Sequence, residues 1–199
     1  MGSSPFSGAI NLKRKRNNEM IYFTSDTHFN HDKPFVYEPR GFHSITEMNE
    51  TLIKNWNETV SPEDDIYMLG DFFLGTDIDF IRETISKLNG KIHLIIGNHD
   101  TNAKVNLYGD IEKIVDVQHA TMITYKKRQF YLSHFPTLTT YEQTNPEKAI
   151  FNMFGHTHSK EKFFDDNPFM YNVALDANDN RPVSIETIYN MIMSKISPK

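Results

Sequence analysis

The 199-residue chain contains no cysteine. Disulfides and thiolate metal sites are thereby excluded, and stability must come from a packed core and from any oxygen- or nitrogen-ligated metal. Long apolar runs are absent as well: none reaches the roughly 20 residues that a membrane-spanning helix needs. The N-terminus lacks the apolar stretch of a secretory signal, so a cytoplasmic location is expected. Positive charge is in deficit, with 21 Lys and Arg against 26 Asp and Glu, a net charge of -5. A protein that grips nucleic acid through its phosphates is usually basic, so stable nucleic-acid binding is not expected. The same balance does not count against an enzyme whose bound cations supply positive charge locally.

What remains is an ordinary globular composition, 38% hydrophobic, in a chain long enough for one sizeable core. Residues 1–19 read as a polar leader, broken by Gly2, Pro5 and Gly8 and carrying the basic run Lys13-Arg14-Lys15-Arg16. That run is either an anchor for an anionic partner or a solvated tail. Residues 20–199 read as a single domain without internal repeats or a second boundary.

The first half alternates strand and helix. Ile21 to Ser25, Ile66 to Leu69 and Ile92 to Ile96 are short apolar runs of strand character. Between them, Ser44 with Glu47 forms a capping-box signature ahead of a helix to about Val60, whose face is Ile45, Met48, Leu52 and Trp56. Ile78, Ile81, Ile85 and Leu88 give a second amphipathic helix that closes near Asn89-Gly90. This alternation predicts parallel strands with crossover helices. The second half changes character: Lys113–Val117, Met122–Tyr125, Gln129–Ser133, Ile150–Phe154 and Met170–Ala174 are short strands, Lys126-Lys127-Arg128 is a hairpin tip, and a last helix runs from about Ser184.

Five of these segments lead into residues able to ligate metal: Asp26-Thr27-His28, Gly70-Asp71, Gly97-Asn98-His99-Asp100, Ser133-His134 and Gly155-His156-Thr157-His158. Each cluster alone is a weak signal. Together they hold five of the chain's nine histidines, and sites in open α/β sheets form where loops converge beyond the carboxyl ends of strands. Five loops delivering Asp, Asn and His to one sheet edge is what a polynuclear metal site requires.

The ordered series D-x-H, G-D, G-N-H-D, a single His and G-H-x-H resembles the calcineurin-like metallophosphoesterase family over residues 21 to about 190. Phe23 to Phe29, Asn172 to Asp176 and Asn180 to Ser184 look like the small phosphoesterases of phages and bacteria. The resemblance implies an α/β fold, a four-layer sandwich of two mixed β-sheets flanked by helices, and hydrolysis of phosphate esters by two divalent ions. It implies that Asp26, His28 and His158 hold one ion, that Asn98, His134 and His156 hold the other, and that Asp71 bridges them through its carboxylate. His99 would then protonate the leaving group and Asp100 would orient its ring. A ligand set of imidazoles, carboxylates and an amide suits manganese, iron, zinc or nickel, with manganese expected to support activity.

Other residues leave two readings open. His31 is either a substrate contact or an exposed loop residue, and Asn30 stands before it where relatives carry glycine. Arg40 is read as a grip on phosphate, although Gly41-Phe42 follows it where relatives read Pro-Phe. Arg181 reads as a turn-holding residue, His93 as a strand residue, and His43 and His119 as surface residues. Phe29, Phe72, Phe73, Phe135 and Tyr141 either stack a nucleobase or pack the sheet edge. The loop from Pro136 to Lys148 is the longest near the motifs and reads as one wall of an open groove. The expected partner is a small phosphate ester, such as a 2′,3′-cyclic nucleotide. Two alternatives are a nuclease, which would need a basic groove, and a protein-binding scaffold, which would have lost ligands.

Overall fold

The computed structural model describes residues 19–140 and 145–196. The basic run Lys13 to Arg16, and Tyr141 and Glu142 of the long loop, lie outside them.

Nine strands are present among the described residues: β1 (Ile21–Thr24), β2 (Asp65–Leu69), β3 (Lys91–Ile95), β4 (Ile114–Gln118), β5 (Ala120–Tyr125), β6 (Arg128–Ser133), β7 (Ile150–Phe154), β8 (Met170–Asn172) and β9 (Val183–Ser184). They form two mixed sheets, in the orders β4-β3-β2-β1-β9 and β5-β6-β7-β8. β1 to β4 are mutually parallel and β9 joins β1 antiparallel. In the second sheet β5 and β6 are an antiparallel hairpin, while β6, β7 and β8 run parallel. The hairpin tip falls at Lys126 and Lys127, whose φ values of 47° and 64° are the left-handed pair that a two-residue hairpin turn requires.

The helices flank these sheets. α1 (Pro34–Tyr37), α2 (Ile45–Thr59), α3 (Ile78–Lys87) and α4 (Asn102–Gly109) accompany the first sheet, and α5 (Ile185–Ile196) ends the described chain. The period-two rule sorts the core. Ile66 and Met68 of β2 join Met48, Leu52 and Trp56 of α2 in one apolar cluster. Tyr67 and Leu69, on the opposite face, join Phe130, Leu132, Phe151 and Met153 of the second sheet and Ile188 and Ile192 of α5 in the other. Phe29, Phe72 and Phe73 are fully buried in the first cluster, so they pack the sheet edge and present no surface to a base.

Helix signals read from sequence are realised with small shifts. The Ser44 hydroxyl caps α2 by accepting from the Glu47 amide, but the Glu47 carboxylate accepts from the amide of His43, one residue earlier than a capping box specifies. Ile78 is 54% exposed and lies outside the buried face of α3, whose N-cap is Asp77. α4 has no counterpart in the sequence reading. Arg181 does not hold a local turn; its guanidinium bonds Glu58 of α2 across the chain.

His93 turns out to be more than a neutral strand residue. Its ring stacks on Tyr67 with centroids 4.6 Å apart, and its nitrogens meet Asp116 at 2.6 Å and Asp65 at 3.3 Å. Burial opposes protonation, but hydrogen bonds and charge from the two carboxylates prevail and raise its pKa to about 9. The same contact holds Asp116 below its usual value, chiefly through the His93 hydrogen bond. A raised histidine contributes stability that is complete below the unfolded-chain pKa of 6.5 and disappears as pH climbs through 9. Replacing His93 with Gln should therefore open a gap in urea midpoint against the unaltered protein that is widest near about pH 5 to 6 and narrows toward about pH 10. A gap that stays constant over that range would show that the ion pair contributes nothing to folding.

Candidate metal centre

All five clusters emerge at the carboxyl ends of their strands: residues 26–31 after β1, Asp71 after β2, residues 98–100 after β3, His134 after β6 and residues 156–158 after β7. The chain reaches those positions by an uncommon backbone. Asp26, His28, Asp71, His156 and His158 have φ of 57°, 47°, 56°, 69° and 49°, all in the left-handed region. Such residues cost about 1–3 kcal/mol each and persist only where their surroundings over-determine them. Here cross-strand hydrogen bonds do so. The amide of Asp26 donates to Gly70, that of His28 to the Asp71 carbonyl, and that of Gly155 to His134. Glycine is required at two close approaches: a Cβ on Gly97 would overlap the Asp71 carboxylate, and one on Gly155 would overlap Ser25 Oγ and the Asp26 carboxylate.

The donors fall into two groups, Asp26 with His28 and His158, and Asp71 with His134 and His156. In the first, Nε2 of His28 and Nε2 of His158 are 3.1 Å apart, and Asp26 Oδ1 lies 3.9 and 3.8 Å from them. In the second, His134 Nε2 is 2.8 Å from Asn98 Oδ1 and 3.5 Å from Asp71 Oδ2. Asp71 Oδ2 is also 3.8 Å from His28 Nε2, so one oxygen stands between the two groups. The other oxygen, Oδ1, is occupied by the amide of His99.

The chemistry of this donor set fits divalent cations. Asp26 is completely buried; Oδ2 accepts from Ser25 Oγ and the amide of His156, while Oδ1 has no hydrogen-bond partner. Burial raises the Asp26 pKa and lowers that of His28 to about 2. A cation among them favours the carboxylate and the neutral imidazole together. The tautomers are arranged for ligation as well. A carbonyl can only accept, so His134 donates Nδ1–H to Leu69 O at 2.8 Å and directs a bare Nε2 inward. His158 Nδ1 meets Asp176 Oδ2 at 3.0 Å with the same result, and that hydrogen bond raises the His158 pKa.

Two sequence expectations require correction. Arg40 does not face a substrate. Its side chain is buried, Nε and Nη2 bind both oxygens of Asp176, Nη2 also donates to the carbonyl of Asp26, and Nη1 donates to that of Thr27. The guanidinium is spent on protein acceptors and clamps the loop after β1. Asp100 does not hold the His99 ring. Its Oδ2 accepts from the amides of Asp71 and Gly97, and Oδ1 accepts from Tyr108 of α4. It ties the loops after β2 and β3 together.

His99 leaves the cluster accessible, with a side chain 46% exposed and Nε2 3.9 Å from Asp71 Oδ2. His31 lies 5.6 Å from the His28 ring; burial, then the nearby charge of His99, lowers its pKa. Phe135, half exposed, meets the rings of His134 and His156 edge-on. Among the residues the sequence reading left without a role, Asp176 matters most. The segment Asn172 to Asp176 carries the family resemblance, but nothing local to it marks its partners His158 and Arg40, 18 and 136 residues away in the chain.

The comparisons with known proteins agree with this geometry. Residues 20–190 match the model of the calcineurin-like phosphoesterase family. The chain belongs to that family. It is a hydrolytic enzyme of the metal-dependent phosphoesterase class. It is 33% identical over 183 residues to MJ1445, an uncharacterized protein of Methanocaldococcus jannaschii, with 86% of this chain and 90% of the relative covered. It is 28% identical over 165 residues to the Gene 66 protein of Mycobacterium phage L5, covering 69% and 77%. Among solved structures it resembles AQ665 from Aquifex aeolicus, a protein of unknown function, at 23% identity and TM-score 0.67, covering 87% of this chain and all of that one. No helix among the described residues is long and apolar enough to cross a membrane.

The Arg40–Asp176 pair is a buried ion pair at the foot of this phosphoesterase's centre. Replacing Asp176 with Ala strands a buried guanidinium, and breaking such a pair from one side costs about 3–5 kcal/mol. Urea unfolding of Asp176→Ala should show a loss of that size, with Asp176→Asn losing less. A loss below about 1 kcal/mol would mean that solvent reaches the pair.

Proposed function

We infer that this phosphoesterase hydrolyses small phosphate esters, nucleotide esters such as 2′,3′-cyclic nucleotides among them, with two divalent ions held by seven side chains. The observation that carries the reading is the position of Asp71 Oδ2, within 4 Å of the inward nitrogens of both His28 and His134. Asp26, His28 and His158 would hold one ion and Asn98, His134 and His156 the other, with Asp71 shared. When bound, the ions supply Lewis acidity that polarises the phosphoryl group and makes water nucleophilic at neutral pH. The protein's own contribution is orientation and proton delivery. Leu69 O and Asp176 hold the rings of His134 and His158 in their ligating tautomers. The backbone of His99 is fixed by its amide on Asp71 Oδ1, and its half-exposed ring gives the Nε2 proton to the departing alkoxide. His31 contacts the ester on the same side. The net charge of -5 speaks against the nuclease alternative, and the convergence of six Asp and His donors, with Asn98 against His134, speaks against a scaffold.

Manganese is the ion expected to support activity in vitro, in a cytoplasmic setting. Elemental analysis after incubation with Mn²⁺ should find two ions per chain, matching the two donor groups. The melting temperature should rise with Mn²⁺ and fall on chelation, because a ligand that binds only the folded state stabilises it. Asp71→Asn should weaken both sites together. No bound ion and no thermal response to Mn²⁺, Zn²⁺, Fe²⁺ or Ni²⁺ would end the two-metal reading.

His99→Ala separates binding from chemistry. Metal content should be unchanged, while hydrolysis of a nucleotide ester should fall by about 10² to 10⁴-fold, the usual worth of a general acid. A nitrophenyl ester, whose leaving group departs without a proton, should lose much less. Equal losses on both esters would remove His99 from the role.

A further inference from the structure

Phe35 is the most exposed large apolar side chain among the described residues, at 72%. A single exposed apolar side chain is ordinary by itself; here the ring sits on a fixed support beside the metal centre. Pro34 opens the single turn of α1, and the neighbouring Val36 and Tyr37 pack against the first core cluster, so the turn is anchored from below while Phe35 faces outward. The loop leading to it is equally fixed. His31 donates its amide to His28, Lys33 to His31, and Asn30 reaches Asn49 of α2.

The position of the ring has a direction relative to the chemistry. Phe35 stands edge-on to His31 with centroids 5.6 Å apart at 86°. His31 in turn is 5.6 Å from His28, and His28 is 5.5 Å from His99. A continuous run of rings thus leads from the proton donor out to Phe35. Among the described residues, the ring contacts of Phe135, exposed on the other side of the centre, are with His134 and His156 of the opposite donor group. Phe35 is thus the exposed aromatic on the side of the centre that carries His28 and His99.

We propose that Phe35, backed by His31, is the platform on which a flat leaving group stacks, so that the enzyme favours esters whose departing alcohol carries a planar aromatic group, a nucleobase being the natural case. This rests on the assignment of His99 above. Phe offers a π-face and apolar area without a hydrogen-bonding tip, so it selects flatness and tolerates base identity. The site would discriminate a base-bearing ester from its base-free analogue far better than one base from another.

The test has a binding arm and a turnover arm. Calorimetry of the Mn²⁺-loaded protein with phenylphosphonate and butylphosphonate, neither of which is hydrolysed, should show tighter binding of the phenyl compound. Phe35→Ala should erase most of that preference, a change of about five- to hundredfold, the range that stacking on an aromatic side chain provides; Phe35→Trp should keep it. In turnover, the ratio of KM for adenosine 2′,3′-cyclic phosphate to KM for the methyl riboside 2′,3′-cyclic phosphate should collapse toward one in Phe35→Ala and not in Phe35→Trp. Phe35 is 72% exposed and belongs to neither core cluster, so the variant should fold. Equal affinity of the unaltered protein for both phosphonates, or loss of the preference in Phe135→Ala instead, would overturn the platform. If the phenyl preference follows Phe35 while neither cyclic ester is hydrolysed, the platform stands and the proposed substrate falls.

Discussion

The carboxylate of Asp26 is the knot on which the rest of the structure depends. It belongs to the first sheet by sequence, emerging from β1, but its Oδ2 takes the amide of His156 from the second. Its own amide is bound to the loop after β2, and its carbonyl is gripped by Arg40. A parallel tie runs from Leu69 O to His134 Nδ1. Two sheets that share an apolar interface can slide over one another, because hydrophobic contact has no direction. Directional hydrogen bonds at the carboxyl ends remove that freedom, and they do so where the donors of both sheets must meet.

This arrangement explains why so many of those donors occupy left-handed backbone. A strand that simply continued would carry alternate side chains to opposite faces of its sheet. Turning sharply at the second residue beyond the strand, as at Asp26, Asp71 and His156, aims the side chain across the end of the sheet instead. Asp, Asn and His tolerate this conformation better than most residues, so the residue types that ligate metal are also those the geometry admits. The cost is met by Arg40 and Asp100, which fasten the loops from beneath. Both were read in the sequence as acting on substrate or on the proton donor. Each instead satisfies backbone groups that the tight turns would leave unpaired.

Charge follows the same logic. Burial alone makes Asp26 harder to ionise and His28 harder to protonate, so a cluster assembled out of water is poised for a cation and poorly suited to serve as an acid–base pair. Away from the centre, His93 shows the contrary case: two carboxylates outweigh burial and keep a half-buried imidazole charged. The type of residue is the same, and the neighbours decide.

The sequence by itself determined the strand and helix alternation, the core faces of α2, and the residues that converge, because period and cluster order are local properties of the chain. β7 begins and ends where its apolar run does, and the hairpin falls at Lys126 and Lys127. It missed α4, whose segment Asn102–Gly109 has no amphipathic period and whose Lys104 is buried with its ammonium on the carbonyl of Phe73. The tertiary structure alone decided which acid partners which base. Asp176 meeting Arg40 and His158, Asp116 meeting His93, and Asp100 turning from His99 to Tyr108 are contacts between segments remote in sequence. An ionisable side chain carries its chemistry in its type, but its partner is set by where the packed sheets bring it.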